Sequence, residues 1–282
     1  MDRYAVIGHP IEHSKSPAIH AAFARQTRQE LSYQALLAPL DGFSDTVRAF
    51  RAEGGRGANI TVPFKIEACS LATRLTERAK LAGAVNTLTF NGDIIIGDNT
   101  DGIGLVRDLI VNLACPLAGR HVLLLGAGGA ARGVLFPLFQ TRPVTLTIAN
   151  RTVEKALELR TAFAPYAGQT TLTAGGFDDL KGWEFDVVIN ATSASLDNRV
   201  PDLPDSIFAP NAFAYDMVYG SNSAGDTPFL AWARAMGVNQ LADGFGMLVE
   251  QAAECFALWR GIRPKSGAIL SKLRRKLVAE AG

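Results

Sequence analysis

The stretch "RHVLLLGAGGAARGV", residues 120–134, constrains the fold more than any other part of the chain. An apolar run ends at Leu125, and Gly126, Gly128 and Ala131 then follow in the G-x-G-x-x-G/A spacing before a helical pattern. Glycines there let the backbone turn sharply and bring N–H groups close to a diphosphate, while the helix N-terminus adds a favourable dipole. A glycine-rich strand-to-helix turn also occurs for packing alone, so the flanking sequence has to decide.

The flanks alternate as a dinucleotide-binding sheet requires. After "RHVLLL" the spacing predicts a helix from about Gly129 to Gln140, the strand "VTLTIAN", a helix from Val153 to Phe163, and a weak strand near Thr171. The strands "FDVVIN" and "AFAYDM", a helix through Phe229 to Met236 and the strand "GVNQL" complete the series. Pro201, Pro204 and Pro210 predict an irregular segment between them.

A separate series precedes it. "YAVIG", a helix from Pro17 to about Arg28, "SYQALL", a helix around Gly42 to Glu53 and "ANITV" read as crossover units of a mainly parallel sheet. One helix is expected from Phe64 to about Leu81, then two strands joined at Asn91-Gly92. The tail after Gly244 reads as two helices with no strands of their own to pack on. The organisation expected is therefore α/β in two domains. An N-terminal domain, 1–101, is completed by C-terminal helices, 244–282, and a Rossmann-type domain, 102–243, is inserted between them.

A chain of 282 residues, 48% hydrophobic, is long enough for two cores. Lys plus Arg at 28 nearly cancels Asp plus Glu at 27, so no overall field favours nucleic acid or an anionic membrane. The start carries no basic segment leading into an apolar run, and a cytoplasmic protein is expected. Cys69, Cys115 and Cys255 lie far apart without Cys-x-x-Cys spacing, which fits reduced thiols. Pro10 keeps His9 and His13 off one helix face, so no metal site is expected.

Several side chains stand where chemistry would need them. In NAD-binding sheets an acidic residue usually ends the second strand; here the sequence is "IANRT". Asn150 does not repel a phosphate, Arg151 can pair with one, and Lys155 shares its helix face, which favours NADP over NAD. "ANITVPFK" places Lys65 in the first turn of a helix, where the dipole disfavours the ammonium and suits it to passing a proton, if a carboxylate orients it. Asp101 in "GDNTDG" offers that carboxylate, although helix capping alone would also explain it. Asp98 belongs to the strand and is the weaker candidate. Gln251 points with the apolar stripe of its helix, toward either a ligand hydroxyl or a structural partner. In "HSKSPAIH", Ser16 before Pro17 reads as a helix cap, which leaves Ser14 and Lys15 unexplained.

Taken in order, "SKSPAIH", "NITVPFK", "GAVNTL", "GDNTDG", "GAGGAARGV", "NRT", "INATS", "YDMVY" and "ADGFGMLVEQA" closely resemble the shikimate dehydrogenase family across nearly the whole chain. The resemblance implies NADPH-dependent reduction of 3-dehydroshikimate to shikimate in aromatic amino-acid biosynthesis. It implies that Ser14 and Ser16 hold the substrate carboxylate, with Tyr219 reaching in from the other domain. Thr61, Asn86, Asp101 and Gln251 would bind ring hydroxyls, and Lys65 would move the proton with Asp101 as its partner. Gly126, Ala127, Gly128, Gly129 and Ala130, together with Asn150, Arg151, Thr152 and Lys155, match the cofactor loops. Met217 and Gly244 match the nicotinamide side, and Glu77 a weaker cofactor contact. Ala131 stands where the family often has serine and Lys155 where arginine is common, which would loosen the phosphate grip. The expected partner is a small-molecule substrate, with no nucleic acid and no membrane; a homodimer is allowed but not required. A quinate/shikimate dehydrogenase and a non-catalytic sensor of a shikimate-like acid are the competing readings.

Overall fold

A computed structural model describes residues 1–220 and 226–281, with side chains through Lys276. Its contacts divide the chain into two compact units, Met1–Gly104 with Val249–Leu273, and Leu105–Leu248 with the residues from Arg274 onward. The expected boundaries at 101 and 244 are displaced, and the end of the last helix groups with the second unit rather than the first.

The first unit begins β1 (Asp2–Gly8), α1 (Ser16–Thr27), β2 (Leu31–Leu37), α2 (Phe43–Ala52) and β3 (Gly55–Ile60). It continues through α3 (Lys65–Leu71), β4 (Arg74–Leu75), α4 (Glu77–Ala82), β5 (Thr87–Asn91) and β6 (Ile94–Asp98). The sheet order is β2-β1-β3-β5-β6-β4. The strands read as crossover units, β1 to β3, pair parallel as expected, and β5 pairs antiparallel with both β3 and β6. The hairpin between β5 and β6 turns at Gly92, whose φ of +55° suits glycine.

Alternation along β1 shows how the sheet is covered. Ala5 and Ile7 join Phe43, Val47 and Phe64 in one apolar cluster, whereas Tyr4, facing the other way, stacks on Trp259 with centroids 4.5 Å apart. The single helix expected over 64–81 is interrupted. Thr73 accepts from the Ile95 N–H and donates to its carbonyl, pulling the chain into the short strand β4, and the Thr76 hydroxyl then caps α4 by accepting from Ala79.

After α5 (Asp101–Arg107), the second unit runs β7 (His121–Leu125), α6 (Gly129–Gln140), β8 (Thr145–Ala149), α7 (Val153–Phe163) and β9 (Thr171–Gly175). It closes with β10 (Phe185–Asn190), β11 (Phe208–Asp216), α8 (Pro228–Ala235) and β12 (Gln240–Asp243). All pairs are parallel, in the order β12-β11-β10-β7-β8-β9. This is the doubly wound order of dinucleotide-binding folds, with the direction of winding reversing between β7 and β10. Pro210 lies inside β11, not in the irregular segment. A register shift against β10 and a φ of +62° at Asn211 accommodate it. Two helices, α9 (Phe245–Arg260) and α10 (Ser266–Ala281), complete the chain.

Candidate active site

In the first unit, two segments far apart in sequence converge. Lys65 is the first residue of α3, and its Nζ lies 2.7 Å from Asp101 Oδ2, with side chains 32% and 13% exposed. The other carboxylate oxygen, Oδ1, accepts from Asn86 Nδ2 at 2.8 Å. Helix capping is therefore not what occupies Asp101; Asn99 Oδ1 accepts from the Asp101 N–H instead. Asp98 is committed elsewhere. It receives Arg78 through both oxygens at 2.6 and 2.7 Å and the Thr76 hydroxyl at 2.6 Å. That network fixes the end of β6, from which Asp101 is presented.

Asn86 is held on every side. Its Oδ1 accepts from Thr87 Oγ1 and the Thr100 N–H, while Nδ2 faces Thr100 Oγ1, Asp101 and, at 3.4 Å, Gln251 Oε1. Gln251 is buried as its position on the stripe predicts, and its carbonyl oxygen faces Asn86, Thr100 and Cys255. The carboxamide oxygen thus serves the protein.

At the start of α1, Lys15 occupies the cap position without a side-chain bond, and Ser16 is the first helical residue. The cap role read for Ser16 passes to Ser14, whose hydroxyl accepts from the Ser16 N–H at 3.3 Å. The two hydroxyls sit with the N-terminus of a twelve-residue helix that has no acidic residue in its first turn, an arrangement suited to an anion. Thr61 follows β3, with its methyl 2.3 Å from where a Cβ on Gly8 would lie, so only glycine at position 8 leaves it that place.

Sequence reasoning did not find the buried polar groups beneath these residues. Asn59 accepts from the Tyr33 hydroxyl at 2.7 Å and donates toward Thr87 Oγ1 and Cys255 Sγ. A buried asparagine in the apolar strand "ANITV" is the signal that could have found them. Burial pushes the Tyr33 phenol and the Cys255 thiol up, so both remain protonated donors.

In the second unit, a groove of about 1220 Å³ opens at the C-terminal ends of the strands. Gly126 to Ala130 form one wall, and Asn150, Arg151, Thr152 and Lys155 another. Gly126 has φ +104° and lies against the Ala191 backbone, whereas a Cβ on Gly128 or Gly129 would meet nothing within 4 Å and would project into open space. The backbone is therefore bare where a diphosphate would approach. Arg151 and Lys155 are exposed and make no ion pair among the described residues, whereas Asp178 and Asp197 across the groove are paired with Lys181 and Arg199. Ala131 is fully buried and not on the groove wall, so the expected loss of a hydroxyl beside the phosphates does not arise.

The remaining expected residues lie outside that groove. Gly244 is pressed on the Met217 carbonyl, where an added Cβ would come within 2.1 Å. Tyr219 packs edge-on against Phe245, and burial followed by the nearby Asp243 charge raises its phenol, which stays a donor. Glu77 is exposed at the start of α4 in the first unit. No helix among the described residues is long and apolar enough to cross a membrane, and no cluster of metal-binding side chains occurs among them.

Residues 6–88 match the family described as shikimate dehydrogenase substrate binding domain. Residues 109–198 match shikimate / quinate 5-dehydrogenase, and 244–274 the shikimate 5'-dehydrogenase C-terminal domain. The chain is 63% identical to the shikimate dehydrogenase (NADP(+)) of Aromatoleum aromaticum over 98% of both chains. It is 60% identical to that of Methylobacillus flagellatus, covering 97% of this chain and 99% of the relative. Among solved structures, an Ael1 enzyme from Pseudomonas putida superposes with a TM-score of 0.91 at 51% identity, covering 97% of this chain and 98% of that one. The shikimate 5-dehydrogenase of Thermus thermophilus in complex with NADP(H) and shikimate gives 0.84 at 32%, covering 98% of this chain and all of that one.

Proposed function

The chain belongs to the shikimate dehydrogenase family, and from that premise we propose how its own residues carry the reaction. It catalyses the reversible NADPH-dependent reduction of 3-dehydroshikimate to shikimate, a step of aromatic amino-acid biosynthesis. The observation that carries the mechanism is the 2.7 Å contact between Lys65 and Asp101 on a partly exposed amine.

Ser14 and Ser16, with the N-terminus of α1, hold the substrate carboxylate, and Tyr219 donates to it. Thr61, Asn86 and Gln251 recognise ring hydroxyls and fix which carbon faces the cofactor. NADPH, when bound, supplies the hydride, and its diphosphate fits the bare backbone from Gly126 to Ala130. Arg151 and Lys155 hold the 2′-phosphate, with Asn150 and Thr152 beside them. Met217 and Gly244 would hold the nicotinamide side, and Glu77 would make a weaker cofactor contact. As the carbonyl becomes an alkoxide, Lys65 delivers a proton to its oxygen. Asp101 orients the ammonium for that transfer. In the reverse direction neutral Lys65 takes the hydroxyl proton.

The absence of an acidic residue at the end of β8, where Asn150 and Arg151 stand, disfavours an NAD-dependent quinate/shikimate enzyme. The Lys65–Asp101 pair has no use in a sensor. We place the enzyme in the cytoplasm, where its three free cysteines stay reduced. A homodimer is compatible with this reading, since all the proposed substrate residues are drawn from one chain. The test is to follow nicotinamide absorbance with each acid and cofactor: shikimate with NADP is the preferred pair, and no turnover of shikimate would overturn this reading.

A further inference from the structure

In the sheet of the second unit, two neighbouring strands each end in a buried aspartate. β11 ends at Asp216 and β12 at Asp243, and the two are register partners. Met217 and Gly244, the residues assigned to the nicotinamide side, come directly after them. The two charges are treated differently. Asp243 Oδ1 pairs with the Arg274 guanidinium of α10, which also lies over the Phe245 ring. Asp216 is fully buried and has no cationic partner among the described residues. Its hydrogen-bond partners there are all donors. Oδ1 accepts from Asn190 Nδ2 at 3.2 Å and from the Val218 N–H at 3.1 Å, and Oδ2 accepts from Ser195 Oγ at 2.6 Å and from Thr227 Oγ1. Thr227 Oγ1 itself takes the Leu230 N–H, which leaves its own proton for the carboxylate. Burial raises the pKa of Asp216, and the four donors hold the charged form against it.

We infer that Asp216 biases the cofactor site toward the oxidised cofactor: its uncompensated charge, held against the Met217 segment, favours the cationic nicotinamide of NADP over the neutral ring of NADPH. The inference rests on the proposal that Met217 and Gly244 hold the nicotinamide side. The carboxylate is fixed to that segment. By accepting from Val218, two residues on, it closes a turn around Met217, whose own N–H is tied to the Asn190 carbonyl at 2.9 Å. Burial keeps water from screening the charge. The start of α8, which Thr227 caps, offsets part of it. On the adjacent strand Arg274 cancels the charge of Asp243, so the field at this edge is that of Asp216. The oxidised and reduced rings differ by one positive charge, and a nearby carboxylate therefore separates them without touching either. A side chain that only packed the sheet would treat the two forms alike. An asparagine would also turn an amide N–H toward two of the four donors, so the charge is what this residue type supplies.

Dissociation constants of NADP, NADPH and ADP-ribose 2′-phosphate, the fragment without the ring, test this by titration calorimetry on the full chain and on Asp216→Asn, Arg274→Met, Arg274→Lys and Met217→Ala. Asp216→Asn should weaken NADP about fivefold and change NADPH and the fragment by less than about twofold. Arg274→Met uncovers the Asp243 charge and should move the ratio the other way, with NADP gaining about threefold on NADPH, whereas Arg274→Lys keeps the wild-type ratio. Equal losses of NADP, NADPH and the fragment in Asp216→Asn would mark a packing role and overturn the inference. Should Asp216→Asn not fold, Arg274→Met decides alone, and an unchanged ratio overturns it. If Met217→Ala weakens both nicotinamide forms while neither charge variant moves their ratio, only the electrostatic bias fails. If Met217→Ala leaves both forms at wild-type affinity, the placement of the nicotinamide fails and takes this inference with it.

Discussion

Lys65 and Asp101, 36 positions apart in the chain, meet through a single contact of 2.7 Å between Nζ and Oδ2. The contact is built from both sides: α3 begins at Lys65, while Asn86 and Asn99 hold the carboxylate and backbone of Asp101.

Asp101→Asn tests the orientation. The substituted carboxamide keeps the shape and loses the charge that holds the ammonium. Turnover is expected to fall by about one to two orders of magnitude, with the fold unchanged by circular dichroism. Turnover within twofold of wild type would show that Lys65 needs no partner.

Arg151→Ala tests the phosphate grip. The guanidinium is exposed and unpaired among the described residues, so its removal costs little stability. KM for NADP should rise by about tenfold or more, while KM for NAD stays nearly constant. An unchanged preference between the two cofactors would refute the assignment.

Gly128 and Gly244 make a matched pair. A methyl on Gly128 meets nothing within 4 Å, so Gly128→Ala should keep the melting temperature and raise KM for NADP by crowding the groove. A methyl on Gly244 falls 2.1 Å from the Met217 carbonyl, so Gly244→Ala should destabilise the fold by about 1–3 kcal/mol. Thermal melts of the two variants should therefore separate, and equal melting temperatures would contradict the packing described.

His20 gives the acid limb of stability a specific cause. Its ring stacks on Tyr33 at 4.1 Å, neither nitrogen has a hydrogen-bond partner among the described residues, and burial lowers its pKa from 6.5 to about 3. Between those values the unfolded chain binds a proton that the folded chain refuses, so stability falls as pH falls through that window. From about pH 7 to pH 5 this residue should cost about 2 kcal/mol. Urea unfolding of His20→Leu should lack that share of the pH dependence; an identical slope would assign it elsewhere.

The sequence announced much of this arrangement, and the parts it hid have physical reasons. The helix α6 was legible because an apolar strand ending in glycine, β7 into Gly126, leaves few alternatives for the next element. The break between α3 and α4 was not legible, because it depends on Thr73 meeting Ile95 across the sheet, a pairing that local propensity does not contain. Pro210 misled for a related reason: a bulge set by the register against β10 admits a proline that a regular strand would reject.

At the site, Lys65 and Asp101 were legible because each stands out from its local role, an ammonium at a helix start and a carboxylate before a glycine. Tyr33, Asn59 and Cys255 were not, because a tyrosine in a strand and a cysteine on a helical apolar stripe look like ordinary core residues until the fold places them on one carboxamide. Asn86 was read as a ligand for ring hydroxyls. The structure first shows it as the residue that ties Asp101 to Thr100 and Gln251.

The most direct test is Lys65→Ala, with shikimate affinity measured by calorimetry beside turnover on the same preparation. The account predicts a dissociation constant within a few-fold of wild type and turnover reduced by about two orders of magnitude or more. Turnover equal to wild type would remove the lysine from proton transfer and contradict the account.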